Sequence, residues 1–572
     1  MTVPRSVFLA AFLILLSQTL AAQQPSADPV IVAMRQEIER SMRNYRLLPQ
    51  GQNALQTPYF LSYMLTDNRA VDVNASFGTL TSSSDQSTRI LDVNLRVGDY
   101  KLDSTHPLRE ETSSEGMDPN FDAPKMPLDD DPLALRVELW RATEQSYRNA
   151  VQRFQQVQAN VQVKVEAEDQ SGDFSHEKPQ VYSEPIAPFS VDKQAWERRL
   201  RAITQPFAVH KEILGASAQM VAEIETRRFV DSDGAEVRMS SPFYRLIISA
   251  TAKADDGMEL PLHQTYMSFH LEGLPDEATL KSDVDRMIST LLQLVKAPVA
   301  EPYTGPAILS GRASAVFFHE IFGHRIEGQR QKNEDEAQTF KKKVNQSVLP
   351  DFLSVYSDPT LKRLGNIDLV GYYPFDDEGV RSRRVTVVQS GVLKEFLMSR
   401  APIAGFDHSN AHGRRQQGYP VAARQSDLIV EASKSVSREQ LKSLLIEQIK
   451  SANKPYGLLF DDIEGGFTFT QRVIPNAFNV RPTVVYRVYA DGREELVRGV
   501  DLIGTPLTSF SKIVAADDDV AVFNGVCGAE SGWVPVSASA PGLLISQIEV
   551  QRKEKSQERA PLLPPPSAFE IQ

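Results

Sequence analysis

A single cysteine, Cys527, stands among the 572 residues, so no internal disulfide can form. An exposed thiol is a liability in an oxidising compartment, which leaves Cys527 as either a small buried hydrophobe or a thiolate held by a metal. Positive charge is also short. Lys and Arg number 62 against 74 Asp and Glu, a formal net charge of −12. Phosphate binding needs a basic face, so nucleic acid is excluded as a partner. Beyond residue 22 no run approaches the about 20 apolar residues that cross a membrane, so no stable membrane anchor is expected. There is no internal repeat and no glycine-rich phosphate loop.

What is present reads as a soluble globular chain, 41% hydrophobic and 24% charged, and its length implies two or three domains. Residues 1–22 are of another kind. Arg5 supplies a short positive segment, residues 7–16 form an apolar run, and Leu20-Ala21-Ala22 precedes the polar Gln23-Gln24-Pro25-Ser26. That is the pattern of a cleaved signal peptide, so the protein is expected to be exported, periplasmic or secreted.

Residues 28–48 have helical spacing and open with Asp28-Pro29, a cap followed by proline at the first helical position. Strand-like runs occupy residues 59–97. Residues 113–131, rich in Pro, Asp and Ser, read as an exposed linker, after which Asp131-Pro132 opens a long amphipathic helix. Further on, Asp233-Gly234, Asp256-Gly257, Ser390-Gly391 and Asp491-Gly492 each separate strand-like runs, a strong hairpin signal. Residues 283–294 read as a helix ended near Pro298, where a domain boundary is placed. Short turns cannot supply parallel crossovers, so the fold class is α+β with antiparallel sheets and helices: an N-terminal α/β region at 23–300, a β-rich C-terminal domain at 301–552 and a disordered, proline-rich tail at 553–572.

Chemistry concentrates in residues 310–330, SGRASAVFFHEIFGHRIEGQR. Ser310 can cap a helix whose body is almost wholly apolar and therefore buried. His319, Glu320 and His324 are set into it, and an unpaired buried carboxylate costs several kcal/mol. A metal ion would satisfy all three groups. Zinc-peptidase helices place their histidines at i and i+4, whereas these lie at i and i+5, about 140° apart on a regular helix. A bulge or helix end at Gly323 would swing His324 back toward His319. Spacing alone leaves open two hydrogen-bonded core histidines instead.

HEIFGH with Glu327-Gly328 resembles the metal-binding helix of the TldD/PmbA family. The resemblance continues through Phe375-Asp376-Asp377-Glu378-Gly379, His412-Gly413-Arg414-Arg415, a short Gly465-Gly466 turn, residues 499–504, Gly525-Val526-Cys527-Gly528 and Val534-Pro535-Val536. It covers about residues 306–550 well and residues 23–300 only loosely. It implies zinc held by His319, His324 and Cys527, with a fourth position open as in catalytic sites, and a metallopeptidase acting on peptides or unstructured protein segments. Glu320 is then the general base toward a metal-activated water. Arg414 and Arg415 are candidate oxyanion or substrate contacts, with surface or structural pairing as the alternative. His408 and His412 have the i, i+4 spacing of metal ligands but lie in a loop and read as a solvated pair; Asp376, Asp377 and Glu378 read most simply as a solvated turn, with lining of the cleft as the alternative. The family also implies a homodimer or a heterodimer with a paralogue. Competing expectations are a non-catalytic peptide-binding subunit and a thiol enzyme with Cys527 as nucleophile.

Overall fold

A computed structural model describes residues 28–46, 56–108, 124–161, 168–468, 470 and 478–553. The expected signal peptide, most of the 113–131 linker and all but the first residue of the 553–572 tail lie outside these residues.

The first segment behaves as its caps require. The Asp28 carboxylate accepts the Val30 amide at 3.0 Å and the helix runs Pro29–Arg46. Asp131 accepts the Ala134 amide at 2.7 Å at the head of the helix Pro132–Val161. The helix expected at 283–294 is longer, Glu277–Lys296, because Asp276 caps it by accepting the Thr279 amide at 2.8 Å.

Between these helices lies an antiparallel sheet of unusually long strands. Pro58–Ser76 pairs with Thr79–Val97 on one side and Ile213–Asp231 on the other. Glu236–Lys253 and Glu259–Ser268 continue it through the two expected Asp-Gly turns, where Gly234 and Gly257 take φ of 104° and 87° that glycine adopts freely. Strict alternation gives this sheet two unlike faces. One carries Leu61, Tyr63, Val71, Val73, Ala218, Met220, Leu246 and Ile248 against the four helices, Lys193–Thr204 being the fourth. The other is polar over much of its area and carries Glu223, Arg245, Ser249, His263 and Thr265.

The C-terminal part is β-rich. One six-stranded sheet ends in the hairpin Ala521–Ala529 and Gly532–Ala540, with Ala521–Ala529 as its edge strand. In the second sheet Tyr456–Thr468, Tyr303–Leu309, Leu543–Arg552, Val500–Gly504 and Phe478–Tyr489 form a ring, closed because the first and last also pair. Most pairings are antiparallel; three, including Tyr456–Thr468 beside Tyr303–Leu309, are parallel. Gly465-Gly466, expected in a turn, lies inside the strand Tyr456–Thr468, whose register is broken between Phe460 and Gly465. A single large apolar cluster joins both sheets around residues 313–326.

Candidate metal centre

The strand Tyr303–Leu309 delivers the chain to Ser310, whose hydroxyl accepts the Ala313 amide at 3.3 Å and donates to the Asp461 carbonyl at 2.7 Å. The helix Gly311–Phe317 then starts hard against the Cys527 hairpin. A Cβ on Gly311 would lie 2.6 Å from the Asp519 carbonyl and 2.9 Å from both the Ala521 nitrogen and the Ala540 carbonyl. Ala313, Ala315, Val316, Phe317 and Phe318 are wholly buried, so only Arg312 leaves the helix exposed on one side.

At Phe318 the winding changes. Phe318–Phe322 is a π turn and Gly323–Ile326 a 3₁₀ turn. The Gly323 amide bonds the Phe318 carbonyl, five residues back, and this wider winding brings residues five apart onto one side. The i, i+5 histidines therefore converge, though not by the expected route. Gly323 keeps ordinary helical angles, φ −58° and ψ −48°. A Cβ there would sit 1.9 Å from the Gln425 side-chain oxygen, so any other residue would displace the Gln425 amide. The Gln425 amide in turn donates to the His319 carbonyl at 3.2 Å, bracing the π turn.

Cys527, 203 residues further on, meets the histidines from the edge strand. Its Sγ lies 3.3 Å from His324 Nε2, and one ligand atom from each of His319, His324 and Cys527 falls within 4.8 Å of the others. All three residues are buried. Zinc bonds of about 2.0–2.3 Å need ligand atoms some 3–4 Å apart, so small adjustments would suffice. His319 Nδ1 is buried without a hydrogen-bond partner among the described residues, so the ring is not held as an ordinary hydrogen-bonded core histidine at that nitrogen. Burial pushes the Cys527 thiol up, but His324, His319 and Arg424 outweigh it and hold the thiol well below its usual value. Against burial, the same pairing raises His324 to about 10, so a metal would bind the thiolate by displacing the imidazolium proton.

Behind His324 stands a charged support that the sequence reading quoted only as motif. Glu327, fully buried, lies 3.3 Å from His324 Nδ1. Burial alone would raise its carboxyl; Arg330, His324 and Arg424 hold it down at about 2. Arg330 donates to Glu327 at 2.7 Å, Glu336 at 3.0 Å and Glu530 at 2.8 Å. Arg424 donates to the Cys527 carbonyl at 2.8 Å. A carboxylate on the far nitrogen of a ligating imidazole fixes its tautomer and ring plane. Arg330, Arg424 and Gln425 carry no recognisable spacing to the histidines, and no signal in the sequence pointed to them. Glu320 sits between the two histidines, nearly buried, with Oε2 4.0 Å from His324 Nε2.

Other sequence candidates are placed elsewhere. Arg414 is buried and its Nη1 donates to the Gln425 and Pro535 carbonyls at 2.6 and 2.7 Å. Arg415 lies 3.6 Å from Asp92 on the N-terminal sheet. Both arginines are thus tied into the framework. The expected solvated turn is also internal: Asp376 accepts the Gly413 amide, Asp377 accepts from Arg227 and from the Arg415 amide, and Glu378 accepts the Arg400 amide. It joins the two halves of the chain, which a local reading cannot see.

His408 is exposed as expected, but His412 is sealed. Its Nδ1 donates to Asn410 oxygens at 3.0 and 3.1 Å and its Nε2 accepts from the Ser357 hydroxyl at 2.8 Å. Burial drives its pKa from 6.5 to about 3, the Asn410 bond opposing and Arg414 assisting. The unfolded chain therefore takes up this proton below pH 6.5 while the folded one does not, until about pH 3. Stability falls across that window by up to about 1.4 kcal/mol per pH unit. In urea unfolding, the advantage of the wild type over His412→Gln should shrink steadily from pH 6.5 toward 4. A constant difference from pH 7.5 to 4.5 would contradict it.

Residues 302–552 match the family model described as PmbA/TldA metallopeptidase C-terminal domain. A metalloprotease of Archaeoglobus fulgidus is 28% identical over 261 residues, 45% of this chain and 56% of that protein. A zinc metalloprotease TldD homolog of Saccharolobus solfataricus is 22% identical over 357 residues, 61% of this chain and 74% of that protein. The chain spans about half the length of the first curated relatives it matches. TldE from Thermococcus kodakarensis, a solved structure, shares the fold with a TM-score of 0.57 at 13% identity, covering 91% of this chain and all of that one.

Proposed function

We propose that this chain is a zinc-dependent peptidase that hydrolyses peptides or unstructured protein segments. The observation that carries this reading is the buried convergence of His319 on the π turn, His324 on the turn after it and Cys527 on its strand, with Glu320 beside His319. Two imidazoles and one thiolate would hold the ion and leave a fourth position open. Zinc, when bound, supplies Lewis acidity toward a substrate carbonyl and acidifies water. Glu327 keeps the His324 ring in place through Nδ1. The Glu320 carboxylate takes a proton from the attacking water and passes it to the leaving amine. Strand Ala521–Ala529, an edge in its sheet, would let an extended peptide add beside Cys527.

The test is metal content and cleavage of a disordered peptide by the purified protein, before and after chelation. One zinc per chain and cleavage that vanishes on chelation and returns with zinc support the reading; cleavage that survives metal removal ends it. The relatives' names, metalloprotease and zinc metalloprotease TldD homolog, point the same way. The alternative is a non-catalytic peptide-binding subunit, for which full zinc loading without cleavage of any disordered peptide would be the signature. We also propose a homodimer, or a heterodimer with a paralogue.

Export is proposed on residues 1–22 alone. N-terminal sequencing of the protein from its native host should begin near Ala22 or Gln23. Intact Met1 in a cytoplasmic fraction would refute it.

A further inference from the structure

The polar face of the N-terminal sheet does not meet the C-terminal part flush. A cavity of about 250 Å³ remains between them, bounded on one side by Arg245, His263 and Thr265 and on the other by Arg312 and by residues 523–526, which lead directly into Cys527. Below the about 300–1,000 Å³ typical of small-molecule pockets, it suits one or two side chains or a chain end.

Most of its charges are already paired. His263 meets Glu464 at 2.9 Å through Nε2 and Ser249 at 2.8 Å through Nδ1, and the His263 contact holds the Glu464 carboxyl below its usual range. Arg312 pairs with Asp462 and donates to the Ile463 carbonyl at 3.0 Å. Arg245 differs. It forms no ion pair among the described residues, and its Nε is buried without a hydrogen-bond partner. Thr483 Oγ1, also lining the cavity, is equally unpartnered. Unsatisfied buried donors are rare and call for a ligand or water. Glu223, two positions along from the residue paired with Arg245, feels its charge but lies beyond ion-pair range. Burial, and then Glu225, push the Glu223 carboxyl up to about 7, so near neutral pH it offsets Arg245 only in part.

We propose that this cavity is a specificity subsite in which Arg245 pairs with a carboxylate of the bound peptide. The inference rests on the peptidase reading. Residues 523–526 cover about 10–13 Å of strand at roughly 3.3 Å per residue, so the carboxylate belongs to a residue within about four positions of the cleaved bond. An acidic side chain or the terminal carboxylate of the peptide would meet the same chemistry. A guanidinium binds either through two parallel N–H···O bonds.

The experiment compares kcat/KM on a neutral disordered peptide carrying one glutamate, or glutamine in its place, at successive positions on either side of the cleaved bond. Each is made with a free and an amidated C-terminus. A charge-assisted pair predicts a preference of about 10- to 100-fold for glutamate at one position, or for the free terminus; which of the two it is identifies the source of the carboxylate. The preference should collapse toward unity in Arg245→Gln and survive in part in Arg245→Lys, which retains charge but not the fork. Equal rates on all peptides, or a preference unchanged in Arg245→Gln, would overturn the subsite. Fluorescence anisotropy with zinc-loaded Glu320→Gln reads the same ratio as binding, so absence of cleavage counts against the peptidase while equal binding counts against Arg245.

Discussion

Glu320→Gln should keep its zinc and bind an unfolded peptide, yet cleave it at least about 10²-fold more slowly, the usual scale for loss of a general base. The amide is nearly isosteric and Glu320 is not among the three grouped donors, so the ion should stay. The expectation gains force from the local geometry. Glu320 is carried on the π turn between the two histidines and is nearly buried, 4.0 Å from His324 Nε2. A carboxylate in that position is close enough to the centre to exchange a proton with a reacting water after small movements. Its alternative role, merely orienting an imidazole, is filled for His324 by Glu327 at 3.3 Å. Single-turnover cleavage of a disordered peptide, with zinc measured on the same samples, separates the outcomes. Wild-type rates in a zinc-loaded variant would end the proton-transfer role and leave the metal centre standing.

The parts of this structure that were legible in the sequence are those whose chemistry is local. Asp28, Asp131 and Ser310 announce helices because a side-chain oxygen two or three residues ahead of an orphan amide can act without any tertiary partner. The four glycine turns announce hairpins because only glycine takes their positive φ freely. What escaped depends on distant segments. His412 looks solvated from its neighbours Ser409 and Asn410, yet Ser357, 55 residues away, closes over it. Asp376 to Glu378 look like a surface turn until Arg227, 150 residues earlier, reaches Asp377. The segment 311–326 lies between these cases. Its buried character was plain from composition, but the i, i+5 spacing became intelligible only through the π turn, and Gly323 proved to be needed for Gln425 rather than for its backbone freedom. Glu327 was legible only as part of the motif, and its partners Arg330 and Arg424 not at all, since they join residues up to 200 positions apart.

Cys527→Ala should cost the protein its zinc. Structural zinc sites are worth about 10–16 kcal/mol over four ligands, so one ligand carries several kcal/mol and its loss should weaken binding on the order of 10²- to 10³-fold. The surroundings raise rather than soften that cost. With the thiolate gone, Arg424 still donates to the residue 527 carbonyl, and the vacated position stays walled by Val534 and Val536. Glu327 is held by His324 and Arg330, and recruiting Glu320 instead would take away the proposed proton carrier, so either way cleavage should fall with the metal. The strand itself should survive, because residue 527 is held by pairing to Val534, and unchanged circular dichroism would document that. Competition against a chromophoric chelator, beside His408→Ala as an exposed histidine control, gives the affinity directly. Full zinc occupancy and wild-type cleavage by Cys527→Ala would remove the thiolate from the centre, and with it the reason a chain of 572 residues keeps its one cysteine on the strand facing His319 and His324.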